Sequence, residues 1–468
     1  MMASDLKEGS KLMNNKKLFQ ALLSLVILLH GFVAEAQEAR ARYEMMRTIR
    51  KEKLDLVLPG AMRDNQVDMW IHVIRRGDPD PLSLDLGGQP GCPSPSLSVR
   101  CLGYYVFTDR GGDRVERALF NVSGDRELYD IFGPADDLAA FVAERDPKRI
   151  AVNISAWLTV ADGLSHTGYL TLINRLGEKY AKRLVSAENV INDFRVRRVQ
   201  TEITAFAKAC EIQRQIMEAG YARIEPGVTT KAELGWWVED QLLARGLATL
   251  ASGPSAPGVL RSGVPQSDRG DVYHRGDLLV WDWGITYLNF GTDFKRHAYI
   301  LREGENDIPE GIRYAWDQGM KVREVIRRNL RVGLTAGEAL KTIGGALEEA
   351  GFGYIPNDPT TDGGFSGLKP GEHLKRPDKT EVSVDCHCVG NTGDSQVEIG
   401  PSIAPHRPDR APLKIQPNNL FAFEFVCYVP VPGWSGEKLR INLEDNAIVT
   451  DKGVEALYPL NDRIIVIR

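Results

Sequence analysis

Cysteine is scarce in this sequence, and no block of basic residues occurs. Six cysteines in 468 residues are too few for a fold that depends on disulfides. Lys and Arg together number 58 against 63 Asp and Glu, a formal net charge of −5, which gives no support for a nucleic-acid partner. The hydrophobic content of 43% is typical of a globular chain with room for two or three domains. A small-molecule or peptide substrate fits this composition better.

Long apolar runs are absent beyond the N-terminal region. There, Lys16 and Lys17 precede an apolar run over residues 18–33, and the small-residue pattern Ala-Glu-Ala follows. The run is interrupted by polar residues and is short for a membrane span, which needs roughly 20 apolar residues. We therefore predict a signal peptide over residues 1–36, with an uncleaved anchor as the alternative. The mature protein would be exported, periplasmic or secreted, with no membrane contact.

Export implies an oxidising compartment, where cysteines can pair. Cys92 and Cys101 flank a loop rich in Pro and Ser and could form a disulfide there. Cys210 lies in a helix-like segment, and we predict that it is a small buried hydrophobic residue.

The pattern of apolar runs predicts two domains in the mature chain. Over residues 37–194, apolar runs such as LDLVLPG, MWIHVIRRG and LGYYVFTD alternate with helix-like stretches, which indicates an α/β domain. Residues 195–468 contain the order helix, helix, strands twice. Thr230 with Glu233 and Thr335 with Glu338 are capping boxes at equivalent places in the two copies. A duplicated unit has a natural place for a site at the seam between its copies.

Two aspartates stand out in the stretch LLVWDWGITYLNFGTDFKRHAYIL, residues 278–301. Asp282 and Asp293 lie in chain that is otherwise apolar, and a buried carboxylate needs a counter-charge or a metal. The turn-like residues 289–291 predict an antiparallel hairpin that brings the two aspartates together. His387, Glu424 and Glu444 occur in strand-like segments of the second copy and could complete a site.

Four carboxylates and one imidazole form an oxygen-rich ligand set. Such a set suits Mn²⁺, or Co²⁺ or Zn²⁺, in a dinuclear arrangement, because two divalent ions would neutralise four carboxylates. Two ions can hold a bridging hydroxide against a carbonyl carbon, so the set predicts hydrolysis of an amide or related bond. Glu424 is the candidate that accepts the proton of the bridging water. Each residue taken alone is more often structural than a ligand.

Strand periodicity places these side chains. In FAFEFVC the three phenylalanines lie on one face, and Glu424 lies on the other. By the same alternation, His387 points away from Cys386 and Cys388, which makes the two cysteines poor ligands for the same metal.

These words and spacings resemble the pita-bread metallopeptidases: methionine aminopeptidase, Xaa-Pro aminopeptidase and prolidase, with creatinase as a relative. The matching sequence motifs are DWG, TDFKR, HCVGNT, FEF and LED, all within residues 195–468. Residues 37–194 are similar to the creatinase-type N-terminal domain. The resemblance implies an α/β domain followed by an α+β pita-bread domain and a homodimer. It implies that the dinuclear ligands are Asp282, Asp293, His387, Glu424 and Glu444, with Asp293 and Glu444 bridging.

The sequence departs from the proline-directed members at three substrate-orienting positions. They carry a histidine where this chain has Pro265, another where it has Asp394, and an arginine where it has Asn442. Proline specificity is therefore open. Four histidines could act from other positions: His274, His297, His373 and His406. Arg296 fits the D-x-x-R word of the family, and its alternative role is a salt bridge to a carboxylate.

Three functions follow as alternatives. The first is an exported metallo-aminopeptidase or dipeptidase that hydrolyses short peptides, with a preference for Xaa-Pro bonds left open. The second is a catalytically impaired homologue that retains metal and acts as a peptide-binding or scaffold protein. The third is hydrolysis of a non-peptide C–N bond as in creatinase, and the metal ligands count against it.

Overall fold

The computed structural model describes residues 37–78, 80–91, 101–249, 254–356, 376–392, 399–434 and 437–468. The predicted signal peptide, Cys92, His373 and Asp394 lie outside these ranges, and Cys101 is in a disulfide. The chain divides into two compact units after Ile49, and the described residues 37–49 of the first unit are helical. Among the described helices, none combines the length and the apolar character needed to cross a bilayer.

The N-terminal part of the second unit contains a mixed six-stranded sheet. Its strands are β1 (Met69–Arg75), β3 (Leu102–Thr108), β4 (Glu116–Phe120), β6 (Ile131–Gly133), β7 (Ile150–Val152) and β8 (Leu184–Ser186), and two short strands, β2 (Gln89–Pro90) and β5 (Val122–Ser123), pair beside it. The order across the sheet is β6-β4-β3-β1-β7-β8. The helices of this part are α1 (Leu58–Asp64), α2 (Ser83–Leu86), α3 (Leu138–Arg145), α4 (His166–Ala181) and α5 (Glu188–Val196). Apolar clusters cover both faces of the sheet, as expected for an α/β layer structure.

The apolar run LDLVLPG is helical, although it alternates in the sequence with true strands. A π-helical turn over Lys53–Val57 leads directly into α1. Leu54, Leu58, Ala61 and Met62 are fully buried, and their spacing of three to four residues places them on one helical face.

The C-terminal part repeats one order of elements, as the sequence predicts. The first copy contains α6 (Gln200–Tyr221), α7 (Lys231–Leu243), β9 (Ala248–Thr249), β10 (Gly258–Arg261), β11 (Leu278–Trp283), β12 (Ile285–Tyr287), β13 (Phe290–Gly291) and β14 (Phe294–Ile300). The second copy contains α8 (Glu310–Asn329), α9 (Ala336–Glu349), β15 (Gly353–Tyr354), β16 (Glu381–Val384), β17 (Cys386–Cys388), β18 (Ser402–Ile403), β19 (Asn419–Ala422), β20 (Phe425–Pro430), β21 (Lys438–Leu443), β22 (Asn446–Thr450), β23 (Gly453–Ala456) and β24 (Ile465–Ile467). Single 3-10 turns occur at Ala135–Asp137, Thr159–Ala161, Gln266–Asp268 and Pro408–Arg410.

Both predicted capping boxes are present at the second helix of each copy. Thr230 Oγ1 accepts a hydrogen bond from the Glu233 backbone N–H, and the Glu233 carboxylate accepts one from the Thr230 N–H. Thr335 and Glu338 make the same reciprocal pair. The boxes satisfy N–H groups that a helix start would otherwise leave unpaired, so they fix where each helix begins.

The loop before each of these helices also repeats. Gly227 and Gly333 have positive φ angles of 78° and 93°, a conformation that costs glycine little. The Gly227 N–H donates to the carbonyl of Tyr273, and the Gly333 N–H donates to the carbonyl of Ile415. Equivalent backbone geometry at equivalent places supports the predicted duplication.

The strands of both copies bend where they pass from one sheet into another. In the first copy, β11 and β14 belong to one sheet and β12 and β13 to a second. In the second copy, β16, β20 and β21 belong to one sheet and β17, β19 and β22 to another. The pairing register continues through each bend, since Ala422 pairs with Asn446 and Phe425 pairs with Leu443. The strands β19 and β20 are therefore one long bent strand, and so are β21 and β22.

Candidate metal centre

The five predicted ligands lie at the strand bends. Asp293, Glu424 and Glu444 occupy the short gaps between β13 and β14, β19 and β20, and β21 and β22. His387 is the central residue of β17, and Asp282 is next to last in β11. Glu424 and Glu444 are thus outside the strands proper, although their neighbours keep the strand alternation. A bend turns side chains of both sheets toward one point, which explains the convergence.

The predicted facing of the second-copy residues is confirmed. Phe421, Phe423 and Phe425 are buried in one apolar cluster together with Cys386 and Cys388. Because neighbours in a strand alternate, Glu424 and His387 point to the opposite side, toward the first copy.

The aspartate hairpin forms, but its turn and its burial differ from the prediction. β11 and β14 pair antiparallel with Asp282 opposite Lys295. The turn lies at Leu288 and Asn289, because Phe290 already pairs with Tyr287. Asp282 is not buried: its side chain is 55% exposed, whereas that of Glu444 is 1% exposed. Asp282 therefore marks the solvent-facing edge of the site.

Three of the predicted ligands surround the imidazole of His387. Its Nε2 lies 3.8 Å from Asp293 Oδ2, 3.8 Å from Glu444 Oε1 and 3.9 Å from Glu424 Oε2. Asp293, His387 and Glu444 form the group within the described part of the chain whose ligand atoms are mutually close enough to hold an ion. An ion placed between donors about 4 Å apart has ligand distances near the usual 2.0 to 2.2 Å.

The chemistry of this group fits a divalent cation. Glu444 Oε1 is buried and has no hydrogen-bond partner within the described residues, an arrangement that is costly without a cation. Burial, followed by the nearby Asp293 carboxylate, raises the pKa of Glu444 well above its usual value. Burial, followed by repulsion from the Asp282 carboxylate, raises the pKa of Asp293 well above its usual value. Burial lowers the pKa of His387 to about 4, which keeps the imidazole neutral and able to bind metal.

Lys295 reaches the other side of the same carboxylates. Its Nζ lies 2.5 Å from Glu444 Oε2, 2.7 Å from Glu424 Oε1 and 3.0 Å from Asp282 Oδ2. Burial alone would lower the pKa of Lys295, but the carboxylates led by Asp282 and Glu424 raise it well above its usual value. The site therefore carries a built-in positive charge.

Asn446 positions the Asp293 backbone. Its Oδ1 accepts a hydrogen bond from the Asp293 N–H at 3.0 Å, and its Nδ2 donates to the Asp293 carbonyl at 2.5 Å. The thiol of Cys210 donates to the same Asn446 Oδ1, and Cys210 is buried as predicted. A backbone link between the copies runs from the Lys295 N–H to the Glu444 carbonyl at 3.1 Å. The site thus lies on the seam between the copies.

Arg296 has the structural role that the sequence left as its alternative. Its Nη1 donates to Asp445 Oδ1 at 2.9 Å, and both side chains are almost fully buried. The Asp445 carboxylate also accepts hydrogen bonds from the Tyr458 hydroxyl and the Asn461 N–H. This network holds Asp445, the residue immediately after Glu444, and so restricts the orientation of Glu444.

The histidines proposed as substitutes have different surroundings. His274 forms a hydrogen bond with the carbonyl of Arg269, and His297 is fully buried against Trp316 with its Nδ1 3.1 Å from Asn461 Nδ2. His406 is partly exposed, and its Nε2 lies 3.7 Å from Asp385 Oδ1. The Asp385 N–H in turn donates to the carbonyl of Glu424. His406 is thus connected through Asp385 to the strand bend at Glu424, and His297 lies in β14, the strand that follows Asp293.

Pro265 and Asn442 occupy two of the positions where the chain departs from the proline-directed members. Pro265 directly precedes a 3-10 turn and has no side-chain donor. Asn442 is buried in β21, two residues before Glu444, and its Oδ1 lacks a partner within the described residues. Neither residue supplies the cationic or imidazole donor that those members have.

Lys295, Asn446 and Asp445 are the site residues that the sequence analysis did not select. A signal for Lys295 exists, because it is two residues after Asp293 in a strand-like segment, and residues two apart share a face. Asn446 has the same local signal, since it is two residues after Glu444, but its partners are 153 and 236 residues away in the sequence, so the sequence does not indicate what it contacts.

Comparison with known proteins identifies the family. Residues 204–451 match the model of metallopeptidase family M24. A putative dipeptidase, YkvY, of Bacillus subtilis (strain 168) is 24% identical over 178 residues, which cover 37% of this chain and 47% of that protein. An Xaa-Pro dipeptidase of Pyrococcus furiosus is 25% identical over 195 residues, which cover 41% and 54%. The chain thus spans about half the length of the curated relatives it matches.

Solved structures show the same fold. The X-Pro aminopeptidase from Thermotoga maritima MSB8 has a TM-score of 0.55 at 16% identity and covers 87% of this chain and 100% of its own. The prolidase from Pyrococcus horikoshii OT3 has a TM-score of 0.52 at 17% identity, covering 89% and 99%. The predicted two-part architecture, an α/β domain before a pita-bread domain, is confirmed. The chain belongs to metallopeptidase family M24.

His387 provides a direct test of the metal group. We expect His387→Ala to weaken Mn²⁺ binding by more than about 100-fold, because even residues that only orient a ligand contribute 10- to 100-fold. The measurement is competition titration of Mn²⁺ against a chelator. His166, an exposed residue, supplies the control His166→Ala, which should bind like the wild type. Equal affinity for Mn²⁺ in the wild type, His387→Ala and His166→Ala would show that His387 does not bind the metal.

Proposed function

We propose that this protein is an exported metal-dependent peptidase that hydrolyses short peptides. The observation that supports the proposal is the convergence of Asp293, His387 and Glu444 at the seam between the copies, with Glu424 beside them. Divalent metal suits this group because an imidazole and carboxylate oxygens are ligands for Mn²⁺, Co²⁺ and Zn²⁺. When bound, a divalent ion would polarise a carbonyl oxygen and lower the pKa of a water molecule.

The residues around the metal group have separate tasks in this proposal. Glu424 Oε1 bonds to Lys295, whereas its Oε2 faces His387. Burial, the largest effect, raises the pKa of Glu424, which suits a carboxylate that must accept a proton from water and return it to a leaving amine. The exposed edge at Asp282 offers the approach for a peptide. On the opposite side, the second-copy strands pack against a buried apolar cluster.

Further features are proposals that rest on the sequence and the resemblance. We propose Mn²⁺ as the metal, export through the signal peptide over residues 1–36, and assembly as a homodimer, which light scattering would test. The two-ion mechanism with a shared hydroxide stays a prediction. Preference for proline is open, because Pro265 and Asn442 replace a histidine and an arginine.

A peptide assay tests the proposal. The mature protein, stripped of metal and then supplied with Mn²⁺, Co²⁺ or Zn²⁺, should cleave Xaa-Pro or non-proline dipeptides and tripeptides. A chelator should abolish turnover, and added metal should restore it. Absence of turnover with every metal and both peptide classes would reject the peptidase proposal.

Lys295 favours a second candidate, the catalytically impaired homologue. Its ammonium bonds three of the four carboxylates that the predicted mechanism assigns to metal. Such a protein would retain metal and bind peptides without cleaving them. Isothermal titration with the same peptides separates the two candidates, because binding without turnover supports the scaffold role.

A further inference from the structure

The Lys295 ammonium contacts more carboxylates than a buried lysine in a simple ion pair does. An ammonium has three N–H donors, and the three carboxylates of Asp282, Glu424 and Glu444 lie within 3.0 Å of Nζ. Lys53, another buried lysine, has one carboxylate partner, Glu202, at 3.1 Å and donates to the backbone carbonyl of Arg197. Only the first arrangement places an ammonium where three acidic side chains from both copies meet.

The two glutamates divide their oxygens between Lys295 and His387. Glu424 Oε1 pairs with the Lys295 ammonium, and Glu424 Oε2 faces the His387 imidazole. Glu444 Oε2 pairs with the Lys295 ammonium, and Glu444 Oε1 faces the His387 imidazole. The cluster therefore has two cation positions, one filled by the ammonium and one formed by Asp293 Oδ2, His387 Nε2 and the glutamate oxygens that face them.

A metal ion at the Lys295 position would meet two obstacles. The Glu424 and Glu444 oxygens there already accept hydrogen bonds from Lys295 at 2.7 and 2.5 Å, and Asp282 Oδ2 forms an ion pair with it at 3.0 Å. A divalent ion bound to the same oxygens would lie within a few ångströms of the ammonium charge, and like charges at that distance repel strongly away from bulk water. The side chain of Lys295 is 3% exposed, so its surroundings restrict withdrawal of the ammonium.

We propose that the Lys295 ammonium takes the place of one of the two metal ions, so that the chain binds a single divalent ion at Asp293, His387 and Glu444. This inference rests on the metal centre of the proposed function but does not depend on turnover. It replaces the predicted pair of ions with one ion and one fixed ammonium. It also gives Asp282 a new role, as a partner of Lys295 rather than a metal ligand.

Metal counting tests the inference on the full-length mature protein. Metal-free protein is dialysed against MnCl₂, desalted and analysed for manganese per chain, and electron paramagnetic resonance shows whether the ions are coupled. We expect one uncoupled Mn²⁺ in the wild type and two coupled ions in Lys295→Met, in which a side chain of similar length carries no charge. Lys53→Met is the matched buried-lysine control and should still bind one ion.

A second variant keeps the test decisive if Lys295→Met fails to fold. Asp282→Asn should still bind one ion, because Asp282 contacts Lys295 and not the metal. In a two-ion site the same change would reduce the count. Two ions or none in the wild type, one ion in a folded Lys295→Met, or loss of the ion in Asp282→Asn would overturn the inference.

Failure of this inference and failure of the peptidase proposal give different results. One Mn²⁺ per wild-type chain without peptide turnover would leave the inference standing and reject the peptidase. Two Mn²⁺ per wild-type chain with peptide turnover would reject the inference and support the peptidase proposal.

Discussion

Replacement of Glu424 by Gln is expected to lower kcat/KM for peptide hydrolysis by about 10²- to 10⁴-fold, the usual contribution of a general acid or base. Gln has nearly the same shape as Glu, and its amide oxygen can still accept the hydrogen bond that Lys295 donates to Oε1 at 2.7 Å. It cannot take a proton from water at the pH of the assay. The loss should therefore fall on kcat more than on KM, and steady-state kinetics with saturating metal would measure it.

The metal content of Glu424→Gln separates a proton-transfer role from a ligand role. Because Asp293, His387 and Glu444 form the metal group, the variant should retain the manganese content of the wild type. Glu211→Gln, a change at a partly exposed carboxylate on α6, is the control and should leave both kinetics and metal unchanged. Parallel loss of metal and activity would identify Glu424 as a ligand and argue against its assignment as the base.

Replacement of Arg296 by Met is expected to destabilise the protein by about 3 to 5 kcal/mol, the usual cost of removing one partner from a buried ion pair. The change removes the nearer of two guanidinium partners of the buried Asp445 and leaves Arg323, whose Nη1 lies 3.6 Å from Asp445 Oδ2. Met fills part of the volume, so the main effect is electrostatic rather than a cavity. Urea unfolding of the metal-free protein, with two-state behaviour checked by two probes, would give the change in the free energy of unfolding.

An exposed pair gives the comparison for Arg296→Met. Arg327 bonds to Glu324 at 3.0 Å on the surface of α8, where the two side chains are 44% and 42% exposed, and solvent screens such pairs. Arg327→Met should therefore change the free energy of unfolding by about 0 to 1 kcal/mol. If Arg296→Met costs no more than this control, the Asp445 network does not hold the chain at Glu444 in the way described.

Much of the fold follows from local patterns that do not depend on distant residues. The capping boxes at Thr230 and Thr335 set two helix starts because their hydrogen bonds close within four residues. The strand alternation around Glu424 and His387 gives the correct facing because side chains alternate whatever the strand's neighbours are. Convergence at the seam was predictable in outline, since duplicated units commonly place a site between them.

Other features depend on contacts that no local pattern encodes. The exposure of Asp282 depends on what covers the end of β11, and an apolar neighbourhood in sequence gives no information about that cover. The helical state of LDLVLPG reflects burial on one helical face, although short apolar runs suit strands equally well. The ammonium of Lys295 lies among acidic groups because both copies meet there, and one of its partners, Glu444, is 149 residues away.

The bent strands have a consequence for how the protein matures. Asp293 belongs to one copy, and His387 and Glu444 belong to the other, so neither copy alone contains all three residues of the group. Metal binding therefore requires that the two copies have docked, so it occurs late in folding, and measured metal binding would report that docking. A bound ion would therefore stabilise the docked arrangement of the two copies.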